Sequence, residues 1–415
     1  LFCEDFKFSW KIAGGSWHLY WSRARTLLTG GVMKGFLPEK QPSKTYSISN
    51  NSLDLLTNVA NDLPKLLLTG QLQKQVNHLK KNDFEINELL INKKPADINL
   101  AMRHLSFIAH GYIWGDVEPH KVLPAVIAKP WVQIANELGR PPILSYASYC
   151  LDNWYKINSD QEISLENVAL INNFLGGVDE DWFVTIHVVI EDRASNAVCA
   201  AGKIKDLNEE STESEIEQQL INISKSMRKV NKIFARMPEK CDPYVYYHRV
   251  RPFIFGSKDN PDLKSGLVYD GEFKNKAQFF RGETGAQSSI IPTLDAALML
   301  KHSNDSLRHY LNEMRDYMPP KHNQYIKDIE SKSKLLNLIS DSKALQSKYD
   351  ECLEEIRIFR SMHLEYAGTY IHQQSQLNNP FGRGGSTITG TGGTPFMKYL
   401  KKHRDESQEG KYSKD

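Results

Sequence analysis

A histidine on the apolar stripe of a long helical pattern is the first residue in this sequence whose placement points to chemistry. His363 lies in a run through Leu345, Tyr349, Cys352, Leu353, Ile356, Phe359, Ala367, Tyr370 and Ile371, apolar positions at helical spacing opposite a charged face. Its bland reading is a core histidine with both ring nitrogens satisfied. Its sharper reading is a haem axial ligand, since a helical imidazole projecting into an apolar cavity offers a neutral nitrogen to iron. Arg360 lies one turn earlier on the same side, where a guanidinium needs a carboxylate or, beside a haem, a propionate. A second cluster, Tyr244 to Phe253, combines Tyr244, Tyr246, Tyr247 and Phe253 with His248, Arg249 and Arg251. It reads either as an interior aromatic cluster with surface arginines or as an aromatic-walled pocket with Arg251 as a bidentate carboxylate anchor. A third, Gly382 to Thr394, is rich in glycine and hydroxyls but lacks the GK[ST] ending of a phosphate loop. It is a flexible linker or a lid over a small polar ligand.

Helices must position these groups. Ile98, Ala101, Met102, Leu105, Ile108, Ala109 and Tyr112 recur at helical spacing, with Asp97 placed as an N-cap. The run Phe183 to Glu191 is β-branched enough for a strand, but no turn signal follows and the helical stripe extends to Ala197, so it is assigned to a helix. Pro141-Pro142 and Pro319-Pro320 punctuate the pattern, Asn158 to Asn167 reads as a connection between two units, and Phe255 to Gly285 as a long ordered loop. No repeat at about 20–50 residues suggests a solenoid or propeller. The expected fold is mainly α.

Composition bounds the function. The chain has 415 residues, 40% hydrophobic and 25% charged, with 52 Lys and Arg against 50 Asp and Glu. A net charge of +2 supplies no electrostatic case for nucleic acid or an anionic membrane, and neither is expected as a partner. Cys3, Cys150, Cys199, Cys241 and Cys352 lack metal or disulfide spacing and read as reduced thiols of a cytoplasmic protein. Residues 1–32, which begin at Leu1 and precede the first methionine, Met33, are expected to be an extension outside the fold. A small N-terminal unit is expected over 33–160 and a larger helical one over 161–405. Lys401 to Asp415 reads as a frayed tail, of which 406–415 is set outside the larger unit.

Taken together, Arg360-Ser361-Met362-His363-Leu364 and Gly390-Thr391-Gly392-Gly393-Thr394 resemble the haem helix and substrate loop of the indoleamine 2,3-dioxygenase family. Leu105 to Tyr112, Pro141 to Leu144, Ser265 to Tyr269, Gln287 to Ser289 and Met314 to Pro319 fit the same family in the same order. The resemblance implies a large all-helical haem domain capped by a smaller N-terminal α-rich domain, acting as a monomer on L-tryptophan and O2. The implied reaction inserts both oxygen atoms across the indole C2–C3 bond to give N-formylkynurenine, the first step of the kynurenine pathway, with haem b whose iron must be ferrous. It assigns His363 as proximal ligand, Arg360 and Asp295 as a pair beside a haem propionate, and Tyr146, Phe183, Tyr246 and Tyr247 as pocket aromatics. Arg251 would bind the substrate carboxylate, Gly390 and Thr391 would close over the amino acid, and Thr284 would stand near the haem. Two departures stand out. His187 falls where vertebrate members carry serine, and Tyr246-Tyr247 replace a Phe-Phe pair. A distal histidine suits an indole N–H, but suits bound O2 as well, which leaves a myoglobin-like O2 carrier as the competing expectation.

Overall fold

The computed structural model describes residues 10–12, 15–17, 33–377 and 396–413. The chain forms two compact units, Leu1–Val32 and Met33–Asp415. In the first, β1 (Trp10–Ile12) and β2 (Gly15–Trp17) pair antiparallel with Trp10 opposite Trp17.

The second unit is built from helices. Short helices α1 (Asn51–Asn61), α2 (Leu63–Leu68), α3 (Leu72–Asn77) and α4 (Asn87–Asn92) surround α5 (Pro95–Trp114). From Leu100 to Trp114 every residue of α5 is buried, so it is a central helix with no solvent face. Its start differs from expectation. Lys94 is the cap residue and Pro95 takes the first turn, where its missing N–H costs nothing; Asp97 instead accepts from the Ser47 backbone N–H at 2.9 Å. Helix α6 (Ala125–Leu138) packs on α5 and ends at Gly139, whose φ of 66° is the left-handed turn that glycine allows.

Helix α7 (Val178–Ile204) carries the run Phe183 to Glu191, and its first turn bears Asp179, Glu180 and Asp181 against the positive end of the helix dipole. The tertiary setting explains why β-branched residues stay helical here. Val184 and Val188 fill one apolar core with α5 and α6, whereas Ile186, Val189 and Ile190 fill a second core with α8 (Glu213–Phe234). A capping box between Thr212 and Glu215 fixes the start of α8. Next come α9 (Ile290–Ala297), α10 (Ser306–Met314) and α11 (Pro320–Lys332). Helix α12 (Lys343–Ala367) lies along α8, and α13 (Phe396–Glu409) lies along α12.

Strands are few among the described residues of this unit. Val122–Leu123 (β3) pairs parallel with Val268–Tyr269 (β6), and Trp154–Lys156 (β4) antiparallel with Val168–Leu170 (β5). Asn158 to Asn167 is therefore the loop of the β4–β5 hairpin and not a connection between units; the Asn167 side chain ties it, accepting from Asn158 N and donating to the carbonyls of Asn158 and Glu162. Phe255 to Gly285 is a loop of short turns as expected. The frayed-tail expectation fails for the described residues to Ser413. Glu406 receives His302, Lys411 pairs with Glu354, and Ser413 binds Asp350. No helix of the described residues is long and apolar enough to cross a membrane.

Candidate active site

Two histidines on different helices, His363 on α12 and His187 on α7, lie within electrostatic reach of one another. Both are half-buried. Burial pushes the His363 pKa down to about 4, assisted by the nearness of His187, so its imidazole is neutral at physiological pH. Among the described residues no hydrogen bond occupies it, and the rings of Phe234 and Phe359 lie 6.3 and 6.5 Å away. A neutral, deep imidazole with an uncommitted nitrogen fits a haem iron ligand. His187 is different: its Nδ1 lies 2.7 Å from the Phe183 carbonyl, one turn back on α7. Only an N–H can make that contact, so Nε2 carries the lone pair and is an acceptor.

Aromatic rings wall the space beside His187. Phe183 lies 4.5 Å from it and Tyr146 5.9 Å, edge to face; Phe183 in turn stacks near Tyr246 at 4.7 Å. Tyr246 meets Tyr370 at 5.8 Å. Tyr146, Tyr246 and Tyr370 belong to, or directly precede, three π-helical turns, Ala147–Leu151, Tyr246–Val250 and Gly368–His372. Such widened turns are concentrated at functional sites because they re-aim side chains within a helix.

Arg251 is completely buried, its guanidinium 5.0 Å from the Tyr247 ring centre and 4.5 Å from that of Phe255. Burial lowers its pKa only to about 10, so it stays cationic and its charge lies within an aromatic sandwich. Next to this stretch two glycines touch back to back. A Cβ on Gly256 would come within 2.2 Å of Gly282 N, and one on Gly282 within 2.3 Å of Gly256 N. That approach lets Lys258 N reach Phe280 O and Glu283 N reach Ile254 O, which fixes the Thr284 loop against the arginine segment.

On the far side, Arg360 is buried against Asp295, its Nη2 reaching both carboxylate oxygens at 2.9 and 2.8 Å, and it also contacts Ser407. Asp295 and Glu406 together hold His302, at 3.0 and 2.6 Å. The expected Arg360–Asp295 pair is thus formed, within a larger cluster than the sequence suggested. Thr284 keeps to its own turn, its hydroxyl oxygen accepting from Ala286 N at 3.4 Å, and its described contacts join it to none of the pocket rings. Gly390 and Thr391 lie outside the described residues.

Sequence reasoning passed over two carboxyls. Glu191, one turn beyond His187, accepts from Tyr146 Oη at 2.9 Å and Ser288 Oγ at 2.7 Å, and burial raises its pKa to about 7. Glu283 lies within electrostatic reach of Tyr146, Tyr149, Tyr246 and Cys150, and burial raises it to about 8. A carboxylate inside the apolar run of α7 was the visible signal for Glu191; Glu283, in a glycine-rich loop, gave none.

The profile of the indoleamine 2,3-dioxygenase family matches residues 31–410. The chain is 32% identical to indoleamine 2,3-dioxygenase 1 of Rattus norvegicus, over 84% of this chain and 87% of that one. It is 30% identical to the indoleamine 2,3-dioxygenase of Saccharomyces cerevisiae over 90% of each chain. A 6-hydroxytryptophan 2,3-dioxygenase of Fusarium equiseti is 28% identical over 90% of this chain and 94% of that one.

Proposed function

The chain belongs to the indoleamine 2,3-dioxygenase family, and we propose that it cleaves the indole C2–C3 bond of L-tryptophan with both atoms of O2, giving N-formylkynurenine. The observation that carries this reading is the set of aromatic rings, Phe183, Tyr146 and Tyr246, gathered around His187 within electrostatic reach of His363. An indole is the natural filling of such walls, and Arg251, on the same aromatic segment as Tyr246, would take the amino-acid carboxylate.

His363 would hold a haem b, with Arg360 and Asp295 beside a propionate. Ferrous haem, when bound, supplies the site for O2 and the electrons that activate it. The protein's own residues do the rest. Arg251 fixes the carboxylate end of tryptophan and so decides which indole atoms face the iron side, an orientation effect. Phe183, Tyr146 and Tyr246 stack the ring and exclude water. His187 Nε2, kept deprotonated by the Nδ1–H bond to Phe183 O, accepts the indole N–H. That tautomer disfavours the oxygen-store reading, because an Nε2 lone pair cannot donate to bound O2. Thr391 and Gly390 would close the site from the glycine-rich loop. A cytoplasmic monomer completes the proposal; for the location, the free thiols of Cys150, Cys199, Cys241 and Cys352 are the support.

The test is anaerobic reduction of the haem-loaded protein, then tryptophan and O2, following N-formylkynurenine absorbance. Reversible O2 uptake with tryptophan present and no product would sink the reading.

A further inference from the structure

Helix α5 sends two polar side chains into the substrate walls. His110 and Trp114 are one turn apart and therefore share a face. His110 Nδ1 lies 2.7 Å from the Phe253 carbonyl, and the Leu144 backbone N–H donates to His110 Nε2 at 3.0 Å. Trp114 Nε1 donates to the Phe255 carbonyl at 3.2 Å. Phe253 is two residues beyond Arg251, Leu144 is two residues before Tyr146, and the Phe255 ring is one face of the sandwich around the Arg251 guanidinium. One imidazole of fixed width therefore joins the backbone carrying the cation to the backbone carrying the distal aromatic wall.

The ring has little freedom. It is fully buried and packs edge to face on Trp131, 6.1 Å away, which is itself held by an N–H bond to Ser106 Oγ at 3.1 Å. Both nitrogens are committed: Nδ1–H donates and Nε2 accepts, so a single neutral tautomer serves both bonds. Burial, the dominant effect, keeps the pKa down at about 4, and the ring stays in that form at neutral pH. On the Tyr146 side the register is fixed a second time, because Tyr146 N donates to Gln287 Oε1 at 2.9 Å.

We propose that His110 and Trp114 are positioning residues for amino-acid recognition, setting the place of Arg251 relative to Tyr146 without touching substrate. This rests on the reading of Arg251 as the carboxylate anchor. It gives the Leu105 to Tyr112 motif, and the Pro141 to Leu144 motif that meets it, a role in specificity beyond packing.

Three variants test it: His110→Phe, which keeps a ring but neither hydrogen bond; His110→Gln, which keeps a donor and an acceptor; and Trp114→Phe, which keeps His110 intact. For each, kcat/KM for tryptophan is divided by that for tryptamine, which lacks the carboxylate, while the Soret band reports haem content and amide exchange reports the Leu144 N–H. For His110→Phe the expected result is a fall of about tenfold in the ratio, through KM for tryptophan, with haem retained and Leu144 exchanging faster. His110→Gln recovers most of the ratio, and Trp114→Phe moves it in the same direction by less. If His110→Phe and Trp114→Phe melt earlier yet keep the wild-type ratio, the two residues are merely structural and the proposal is overturned. A wild type that does not prefer tryptophan to tryptamine brings down the Arg251 anchor first, and this inference with it, a result distinct from failure in the variants alone.

Discussion

At the scale of single residues, the hydrogen bond from His187 Nδ1 to Phe183 O decides what His187 can do at the proposed site. An acceptor at Nε2 matters only when an N–H is presented to it. His187→Ala should therefore lower tryptophan turnover by about tenfold, the worth of one hydrogen bond in a dry site. N-methylation of the indole nitrogen should cost the wild type a similar factor and His187→Ala almost nothing; equal losses in both proteins would refute the acceptor role. Arg251 gives a second expectation. Removing a desolvated guanidinium strands the carboxylate, so Arg251→Ala should weaken tryptophan binding by about 2–5 kcal/mol. A titration by tryptophan-induced change in the haem spectrum measures this, and an unchanged midpoint would remove the anchor. His363 and Arg251 stand out in the sequence as candidates because each is out of character for its surroundings, a histidine on an apolar stripe and an arginine among tyrosines. The His187 tautomer was not legible, since it depends on how far the ring turns back toward a carbonyl on its own helix.

At the scale of elements, the C-terminal helix α13 is fastened to the site by a cluster that spans the chain. His302 is flanked by carboxylates on both nitrogens, Asp295 from α9 and Glu406 from α13, and Asp295 also holds Arg360 of α12. Burial works against a charge on His302, but the hydrogen bond and charge of Asp295, with Glu406, outweigh it and hold the pKa above the usual histidine range despite the neighbouring Arg360. A raised histidine pKa stabilises the fold fully below the unfolded value of 6.5 and loses that contribution as pH rises through the folded value. His302→Gln should therefore cost about 2 kcal/mol near pH 6 and distinctly less near pH 9, read from urea unfolding at the two values. A cost independent of pH would mean that the imidazolium plays no part. This cluster also explains why the tail was misread. Lys401 to Asp415 has the composition of a solvated end, but Lys402, Glu406 and Lys411 find partners at Asp305, His302 and Glu354, roughly fifty to a hundred residues away. Helical periodicity reports a face, not what covers it. It sufficed for α5, α7 and α12, whose stripes are long, and it failed at Asn158 to Asn167, where paired asparagine bonds make a hairpin loop of a polar segment.

At the scale of the whole molecule, a functional interior made of neutral histidines and protonated carboxyls imposes a pH dependence on the fold. His104, His110 and His322 are buried and neutral, the latter two with pKa values brought down to about 4 and about 3 chiefly by burial. The unfolded chain protonates them below 6.5 and the folded chain refuses, so they favour folding above that pH and cost stability as pH falls. Glu191 and Glu283 act in the opposite sense. Their folded values of about 7 and about 8 exceed the ordinary 4.5, so the folded state keeps protons that the unfolded chain releases, and stability falls as pH rises through that window. Between 4.5 and 6.5 these histidines, with His187 and His363, act against Glu191 and Glu283 and against Glu180 and Asp316, which burial raises to about 7 and about 6, so the two sets oppose each other. Above 6.5 the histidine contribution is complete, and only the carboxyl terms and His302 remain, all of them falling. Stability should therefore decline between about pH 6.5 and pH 8, as seen in the urea midpoint across the range. Replacing both carboxyls, Glu191→Gln with Glu283→Gln, removes two of the groups that titrate on the alkaline side and should make that limb shallower, with Glu180 and His302 still contributing to it. A wild-type midpoint that still climbs between about pH 7 and 8.5 would show that these two carboxyls are ionised in the folded protein, and that the site holds charge where this account holds protons.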